Sequence, residues 1–354
     1  MGKDDTLWIG TAKGLFRADR SGGGWELAEP TLAGWECSAL LPDGPDGAFL
    51  VGTSHYAYGP TVRRSDDGGA NWSTHALREV LTESKHPINR IWQLATDPHQ
   101  SGRVWAGIDE AALLHSDDGG ATWAEVSTLT DHPSRPNWFP GAGGLCLHTI
   151  VHHPTDPQCM VVGISAVGVF RTTDGGATWH ASNEGLPGMR ETGAADEDAM
   201  YCIHKIAADP TSTDRLFMQF HAHAGSSGVF RSDDFGQNWS AIDDSFADKF
   251  GFPLVATDSG TVCVVPLQSD EQRMPTDGKL RVMRSTDGGT HWSVVDSGLP
   301  DSVYAGVLRD AMSATGESIA FGTTNGDVFV SDDAGANWGA LPGRLPRVMC
   351  VRWG

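Results

Sequence analysis

The sequence has little positive charge. Its 354 residues include 25 Lys and Arg against 45 Asp and Glu, which gives a formal net charge of −20. Proteins that bind phosphate backbones or anionic lipid heads depend on Lys and Arg, so this deficit argues against nucleic acid or a membrane surface as a partner. The first residues also lack a cationic segment followed by a long apolar stretch. We therefore expect no signal peptide, no membrane anchor and a cytoplasmic location.

The sequence also lacks the common signatures of cofactor and metal sites. It has no Gly-x-Ser-x-Gly elbow, no Walker loop, no dinucleotide-binding glycine motif and no His-Glu-x-x-His helix. Its six cysteines include no Cys-x-x-Cys pair and lie mostly in apolar, strand-like stretches. We expect reduced thiols that act as small core residues, rather than disulfides or a thiolate metal site.

What the sequence has in abundance is one short repeat. The pattern Ser/Thr-x-Asp-x-Gly-x-x-Trp occurs six times, ending at Trp72, Trp123, Trp179, Trp239, Trp292 and Trp338. A seventh, degenerate copy from Ala18 to Trp25 keeps the glycine and the tryptophan. The Asp and Ser/Thr oxygens are suited to accept hydrogen bonds from the backbone of a turn, and the glycine supplies a positive φ. Folding alone explains the repeat.

Apolar runs before each repeat give four strands per unit, close to the size of a four-stranded propeller blade. The first unit begins at Leu7 with the equivalent of a second strand, whereas the chain ends with an unclaimed apolar stretch at 348–353. The sequence therefore predicts an all-β fold. This fold is a seven-bladed β-propeller of four-stranded antiparallel blades, a single domain over residues 1–354, with the ring closed by the C-terminal strand joining the first blade.

The six copies resemble the Asp-box, or BNR, repeats of the sialidase-like β-propellers. That superfamily also includes photosystem II assembly factors, sortilin-type receptors and xyloglucan-cleaving glycosidases. The resemblance covers nearly the whole chain and implies a propeller whose boxes lie on the perimeter, away from the active face. It implies little about activity, because these relatives include both enzymes and binding scaffolds.

The resemblance does not extend to the catalytic residues of true sialidases. Those enzymes carry an Arg-Ile-Pro segment, an arginine triad, a Tyr nucleophile with a Glu partner and an Asp acid/base. The nearest fragment in this chain, residues 89–92, reads Asn-Arg-Ile-Trp and lacks the proline, and only four tyrosines are present. We therefore expect a sialidase-like fold without sialidase activity.

Candidate functional residues follow from the expected geometry of a propeller, which binds ligands at the mouth of its central channel. His148 and His204 each lie six residues before a proline near the end of a first strand, and the same spacing selects Trp92 and, more loosely, Glu36. Two imidazoles that converge at the axis suit a metal ion, or a general base with an orienting partner. We name His148, His204 and Glu36 as candidate catalytic residues.

The turns between second and third strands lie on the same face and add polar side chains. The candidate ligands for a divalent transition metal are His55, His148, His204, His221 and His223. The alternative is that His221 and His223 only hydrogen-bond within a polar turn. The candidate substrate-binding residues are Arg90, Trp92, Tyr56, Glu110 and Trp138.

Two functions from different classes fit these observations. The first is a hydrolase or lyase, glycosidase-like or metal-dependent, that acts on a small or carbohydrate-like molecule at the channel mouth. The second is a non-catalytic binding or assembly scaffold with a partner protein, as the photosystem-factor resemblance implies. We favour the enzyme because histidines gather in the predicted funnel and because three long segments, 73–89, 124–145 and 181–200, could exclude water.

Overall fold

A computed structural model describes residues 5–75, 88–188, 200–223 and 225–354. Two of the long segments, 73–89 and 181–200, therefore fall largely outside the described residues. The regular secondary structure of the described part is nearly all β-strand, with one four-residue helix, α1, at Ser127–Thr130 and short 3-10 turns at Pro45–Gly47, Arg135–Asn137 and Thr276–Gly278. No helix in the described ranges is long and apolar enough to span a bilayer.

The strands, numbered in chain order over the described residues, are β1 Thr6–Thr11, β2 Gly14–Ser21, β3 Gly24–Leu27, β4 Glu36–Leu41, β5 Phe49–His55, β6 Gly59–Ser65, β7 Ser73–His75, β8 Arg90–Thr96, β9 Val104–Asp109, β10 Ala112–Ser116, β11 Ala124–Glu125, β12 Leu147–His152, β13 Met160–Ile164, β14 Gly168–Thr172, β15 His180–Ala181, β16 Ile203–Ala208, β17 Leu216–Phe220, β18 Val229–Ser232, β19 Ser240–Ala241, β20 Phe250–Ala256, β21 Val262–Leu267, β22 Val282–Ser285, β23 Ser293–Val295, β24 Val307–Thr315, β25 Ser318–Thr323, β26 Val328–Ser331, β27 Gly339–Ala340 and β28 Val348–Trp353.

These strands form four-stranded antiparallel units. Five sheets hold four consecutive strands each: β4–β7, β8–β11, β12–β15, β16–β19 and β20–β23. A further sheet has eight strands in the order β27-β26-β25-β24-β28-β1-β2-β3, in which β28 pairs antiparallel with β1 and meets β24 through one parallel bridge. We call β28 with β1–β3 unit one, β4–β7 unit two, and so on to β24–β27, unit seven. The predicted all-β architecture of four-stranded antiparallel sheets is confirmed.

The first strands of the units contact one another in sequence. Each of β4, β8, β12, β16, β20 and β24 contacts the first strand of a neighbouring unit on either side, and β28 contacts both β24 and β4. Apolar side chains fill the space between adjacent sheets, including the turn tryptophans Trp123, Trp179, Trp239 and Trp338. All six cysteines are buried and unpaired, which is the arrangement that the sequence predicts.

The repeated turns share one hydrogen-bonding pattern, illustrated by unit five. The Ser232 hydroxyl accepts a hydrogen bond from the backbone N–H of Gly236 and donates one to Asp234, both at 2.8 Å. Asp234 in turn accepts from the backbone N–H of Asn238 at 2.9 Å. Because these bonds lie within one octapeptide, the turn is determined by local sequence.

All seven first strands share an irregularity in their pairing with the second strands. In unit one the register of β28 against β1 shifts between Gly10 and Thr11. The register shifts at equivalent places in units two to five, and the residue skipped there is Ser38, Trp92, His148 or His204. Units six and seven have longer shifts, between Gly251 and Leu254 and between Val307 and Met312. β-Bulges redirect side chains and are frequent beside functional sites, so each unit presents a redirected position near the channel.

A buried ion cluster joins three first strands below these bulges. Asp310 on β24 accepts from Lys205 Nζ of β16 at 2.6 Å and from the Arg352 guanidinium of β28 at 2.9 Å, through the same carboxylate oxygen. Asp310 is 4% exposed. Burial acts to raise the pKa of Asp310, but the charges of Lys205 and Arg352 outweigh it and lower this pKa to about 2.

We expect Asp310→Ala to lower the free energy of unfolding by about 3–5 kcal/mol at pH 7, because two cations lose their buried partner. Since the folded-state pKa is depressed, the contribution of Asp310 is present above about pH 4 and is lost as pH falls towards 2. Urea denaturation of both proteins measures the difference. The control is Asp66→Ala, whose carboxylate pairs with Arg64 at 2.8 Å but is 71% exposed. We expect it to cost less than about 1 kcal/mol, and equal effects of the two substitutions would contradict the assignment.

Candidate functional site

A cavity of about 360 Å³ lies among the first strands. Residues of β4, β8, β16, β20, β24 and β28 line it, together with the connections that follow β17 and β21. Its walls differ in chemistry. One part carries histidines and a carboxylate, and another carries arginines and a tryptophan.

The histidine wall is a chain of ring nitrogens that ends on a carboxylate. His204, at the bulge of β16, places Nδ1 2.5 Å from the carbonyl oxygen of Gly251 and Nε2 3.2 Å from Nδ1 of His221. His221 follows β17, and its Nε2 lies 3.3 Å from Oδ2 of Asp270 in the β21–β22 connection. The Nδ1 of His223 lies 3.7 Å from the same oxygen.

Burial and nearby charge favour neutral imidazoles in this wall. Burial, followed by the charge of Arg309, holds the pKa of His204 well below its usual value. Burial also lowers the pKa of His221, although the contact with Asp270 partly offsets it. For Asp270, burial acts to raise the pKa, but the hydrogen bond with His221 leaves it lowered. The lowered pKa values favour neutral rings for His204 and His221 and an ionised carboxylate for Asp270.

The cationic wall is built around Trp92, at the bulge of β8. The guanidinium groups of Arg90 and Arg309 lie 5.0 and 5.3 Å from the centre of the Trp92 ring. Arg90 also forms an ion pair with Glu36 at 2.8 Å. Arg309 forms no ion pair with any residue that the structure describes, and neither its buried Nε nor the indole N–H of Trp92 has a hydrogen-bond partner there. Buried donors without a partner among the described residues are uncommon in folded proteins.

The structure places the other predicted catalytic residues outside the cavity. His148 is fully buried, and its ring nitrogens contact the carbonyl oxygen of Ile203 at 2.8 Å and the hydroxyl of Thr149 at 3.0 Å. Both nitrogens are therefore engaged within the protein. In unit two the position equivalent to His148 is Ser38 rather than Glu36, because the bulge falls at Ser38. Glu36 acts as the ion-pair partner of Arg90.

The remaining predicted residues lie apart from the histidine chain. His55 packs on Tyr58 and Tyr56 in an exposed aromatic cluster, in which Tyr56 is 98% exposed. Glu110 and Trp138 border a separate open groove. Trp138 donates its indole N–H to the Ser134 hydroxyl at 2.9 Å, so it contributes mainly to that loop. Of the predicted set, the cavity brings together Arg90, Trp92, His204, His221 and His223.

Sequence reasoning missed two residues that line the cavity, Asp270 and Arg309. Asp270 lies in the long β21–β22 connection of unit six, which is the same kind of turn that pointed to His221, so reading that turn in every unit would have found it. Arg309 lies in the first strand of unit seven, which has no proline to align. Asp109, at the end of β9, is partly buried, and burial, together with the charge of Glu110, raises its pKa to about 6 despite the opposing charge of Arg90.

No protein-family model matches the chain. Among curated proteins, the chain is similar to an oligoxyloglucan-reducing end-specific xyloglucanase of Emericella nidulans, with 27% identity over 52% of this chain and 21% of that protein. It is similar to a xyloglucanase of Hypocrea jecorina, with 26% identity over 82% of this chain and 35% of that protein. It also matches the photosystem II assembly lipoprotein Ycf48 of a Synechococcus strain, with 25% identity over 39% of this chain and 34% of that protein. The chain thus spans between about a fifth and about a third of the length of these relatives.

Two solved structures show the same fold. YCF48 bound to a D1 peptide superposes with a TM-score of 0.56 and 16% identity, over 87% of this chain and 84% of that one. The GH74 enzyme of Niastella koreensis gives a TM-score of 0.54 and 17% identity, over 94% of this chain but 46% of the other. At these identities the likeness shows a common fold.

The raised pKa of Asp109 predicts a pH-dependent stability. Between about pH 4 and 6 the Asp109 carboxyl is ionised in the unfolded chain but still protonated in the folded chain. The free energy of unfolding therefore falls as pH rises through this window. Asp109→Asn removes that cost. We expect its stability relative to the wild type to rise by about 2 kcal/mol between pH 3.5 and 7.5 in urea denaturation. The control, Glu29→Gln, removes an exposed carboxylate and should show no such rise, and a flat difference for Asp109→Asn would refute the assignment.

Proposed function

We propose that the protein is a hydrolase or lyase that acts on a small, carbohydrate-like molecule with an anionic group, bound in the central cavity. One observation carries the proposal. A single cavity holds Arg309, which forms no ion pair with any described residue, beside Trp92. The same cavity holds two histidines, His204 and His221, that are hydrogen-bonded in series to the carboxylate of Asp270.

The cationic wall suits the binding of a carboxylate or phosphate. Guanidinium groups recognise such anions through paired, charge-assisted hydrogen bonds. The chain as a whole carries a charge of −20 and repels anions, so an arginine without a carboxylate partner beside a cavity is an electrostatic exception. The Trp92 ring adds an apolar face and a free N–H donor, and both features suit a sugar ring.

The histidine wall suits the reacting part of the ligand. The Gly251 carbonyl fixes the tautomer of His204, because Nδ1 must carry the proton that it donates. Nε2 of His204 is then an acceptor, and the ring of His221 is oriented between it and Asp270. Groups held in this way are positioned for proton transfer or metal-assisted chemistry. The cavity volume, about 360 Å³, lies within the range of about 300–1,000 Å³ typical of small-molecule sites.

The curated xyloglucanase relatives support a carbohydrate-directed hydrolase, although their identities are low and the chain covers only part of each protein. At such low identity the relatives do not determine which bond is cleaved, or whether cleavage is by hydrolysis or by elimination. Those properties depend on the residues that line the cavity.

A binding scaffold is the second candidate, and one observation favours it. YCF48 bound to a D1 peptide matches this chain along most of the length of both chains, whereas the GH74 enzyme extends well beyond it. On this alternative the arginines would bind an acidic segment of a partner protein, and the histidine wall would not take part in chemistry.

We also infer that the seven units form one closed seven-bladed ring and a single domain. The first strands contact one another in an order that returns to its start, and β28 completes unit one by pairing with β1. This arrangement leaves no first strand without neighbours on both sides. The six octapeptide turns support its assignment to the Asp-box propellers.

Arg309→Met tests the ligand class. We expect the purified protein to bind an acidic disaccharide, digalacturonate, more tightly than neutral cellobiose in calorimetric titrations, and we expect Arg309→Met to weaken digalacturonate binding about 10- to 100-fold. The control Arg344→Met removes an arginine that is 68% exposed and should leave binding unchanged. Turnover of the acidic saccharide is followed by NMR. Equal affinity for both sugars would contradict an anionic substrate, and binding of an acidic peptide without any turnover would favour the scaffold.

Deleting residues 348–354 tests the ring. Loss of β28 would expose the edge of β1 and remove Arg352 from the ion cluster. We therefore expect an insoluble or unfolded product, measured by soluble yield and thermal denaturation. A soluble truncated protein with unchanged melting would contradict closure by this strand.

A further inference from the structure

Three ligand atoms converge at the edge of the cavity. His221, His223 and Asp270 each offer one ligand atom, and the three atoms lie within 4.8 Å of one another. The two nitrogen-to-oxygen separations are 3.3 and 3.7 Å. Nitrogen and oxygen ligands bound at about 2.1 Å to one ion lie roughly 3 to 3.5 Å apart. The separations therefore need only small side-chain movements to hold a common metal ion.

The hydrogen bonds around these residues provide a second geometric argument. Three contacts run in series from the Gly251 carbonyl through His204 and His221 to Asp270. The contact between His221 and Asp270, at 3.3 Å, is the longest of the three, and it joins two of the groups that would share the ion.

We propose that His221, His223 and Asp270 form a binding site for a divalent transition metal, with His204 as a positioning residue. Two imidazoles and one carboxylate are a donor set suited to zinc and iron(II).

The hydrogen bonds between His221, His204 and Gly251 then engage the remaining ring nitrogens of His221 and His204. With Nε2 of His221 on the metal, its Nδ1–H donates to Nε2 of His204, and Nδ1–H of His204 donates to the Gly251 carbonyl. Metal-bound histidines generally donate their second ring N–H to such a partner, which orients the ring and raises its basicity. His204 is thereby assigned to orientation and not to direct ligation.

The site is open on the side of the cavity. The side chains of His223 and Asp270 are 43% and 35% exposed, whereas that of His221 is 13% exposed. Three protein ligands with further coordination positions open are the pattern of catalytic rather than structural sites. A metal here would face the same cavity as Arg309, so its use on an anionic substrate rests on the proposed function. Metal binding itself does not, because it is measured without substrate.

The experiment uses the full chain without an affinity tag, stripped of metal by a chelator and dialysed. Zn²⁺ is titrated by calorimetry, and Co²⁺ by its visible absorption. We expect about one equivalent of Zn²⁺ to bind with a Kd of about 1 µM or tighter, with His223→Ala and Asp270→Asn each weakening it at least about 10-fold. His223 is partly exposed, so its replacement is the variant best suited to remain folded.

The positioning role of His204 is tested by the Zn²⁺ affinity and the Co²⁺ spectrum of two variants. We expect His204→Ala to weaken Zn²⁺ binding about 10-fold and to change the Co²⁺ spectrum. His204→Gln should restore most of both, because its amide oxygen accepts the same hydrogen bond from His221. A change in folding alone would not alter the Co²⁺ spectrum in this residue-specific way.

The matched control is His153→Ala. His153 and Asp214 have the same nitrogen-to-oxygen distance of 3.3 Å as His221 and Asp270, but they lie away from the cavity. The control should bind Zn²⁺ as the wild type does. The proposal is overturned if the wild type binds no stoichiometric Zn²⁺, or if His153→Ala weakens binding as much as His223→Ala does. If the metal binds but no saccharide is bound or turned over, the metal site stands and the proposed function fails.

Discussion

The carboxylate of Asp310 is the point on which the centre of the molecule depends. It is buried, it is shared by Lys205 and Arg352, and it links first strands from units five, seven and one. Arg309 precedes Asp310 in β24 and lines the cavity beside this cluster. Burial, followed by the charge of Arg309, holds the pKa of both His148 and His204 well below the usual value. The strand that carries the buried carboxylate therefore also carries the cation that acts on the cavity histidine.

The chain is acidic overall, with a net charge of −20, whereas the cavity is lined by four arginines, Arg90, Arg273, Arg309 and Arg347. Carboxylates of the repeated turns are stabilised by hydrogen bonds within the turn. In unit two, for example, hydrogen bonds from Asn71 lower the pKa of Asp67 to about 2. A surface of this kind repels anions in general and admits them only where the local potential reverses. The arrangement thus favours a small anionic ligand over an extended polyanion.

The sequence predicts the four-stranded units well because the information is local. Each turn is held by hydrogen bonds within about eight residues, so the motif alone specifies it. The site follows from the sequence only in part. Counting back from a proline selects His204 and Trp92, which lie at the bulges, but it selects Glu36 where the bulge lies at Ser38. Asp270 lies in a turn between a second and a third strand, a feature that the repeat marks, whereas Arg309 reaches the cavity through long-range packing of unit seven and has no such local marker.

The bulges explain how a repeated scaffold produces an asymmetric cavity. Equivalent backbone positions carry Ser38, Trp92, His148 and His204 in successive units, so the scaffold supplies the direction and the sequence supplies the chemistry. His148 turns into the wall and contacts the Ile203 carbonyl beside His204, whereas Trp92 and His204 line the cavity. The side chains at these equivalent positions, rather than the repeated turn motif, therefore give the cavity its two chemically different walls.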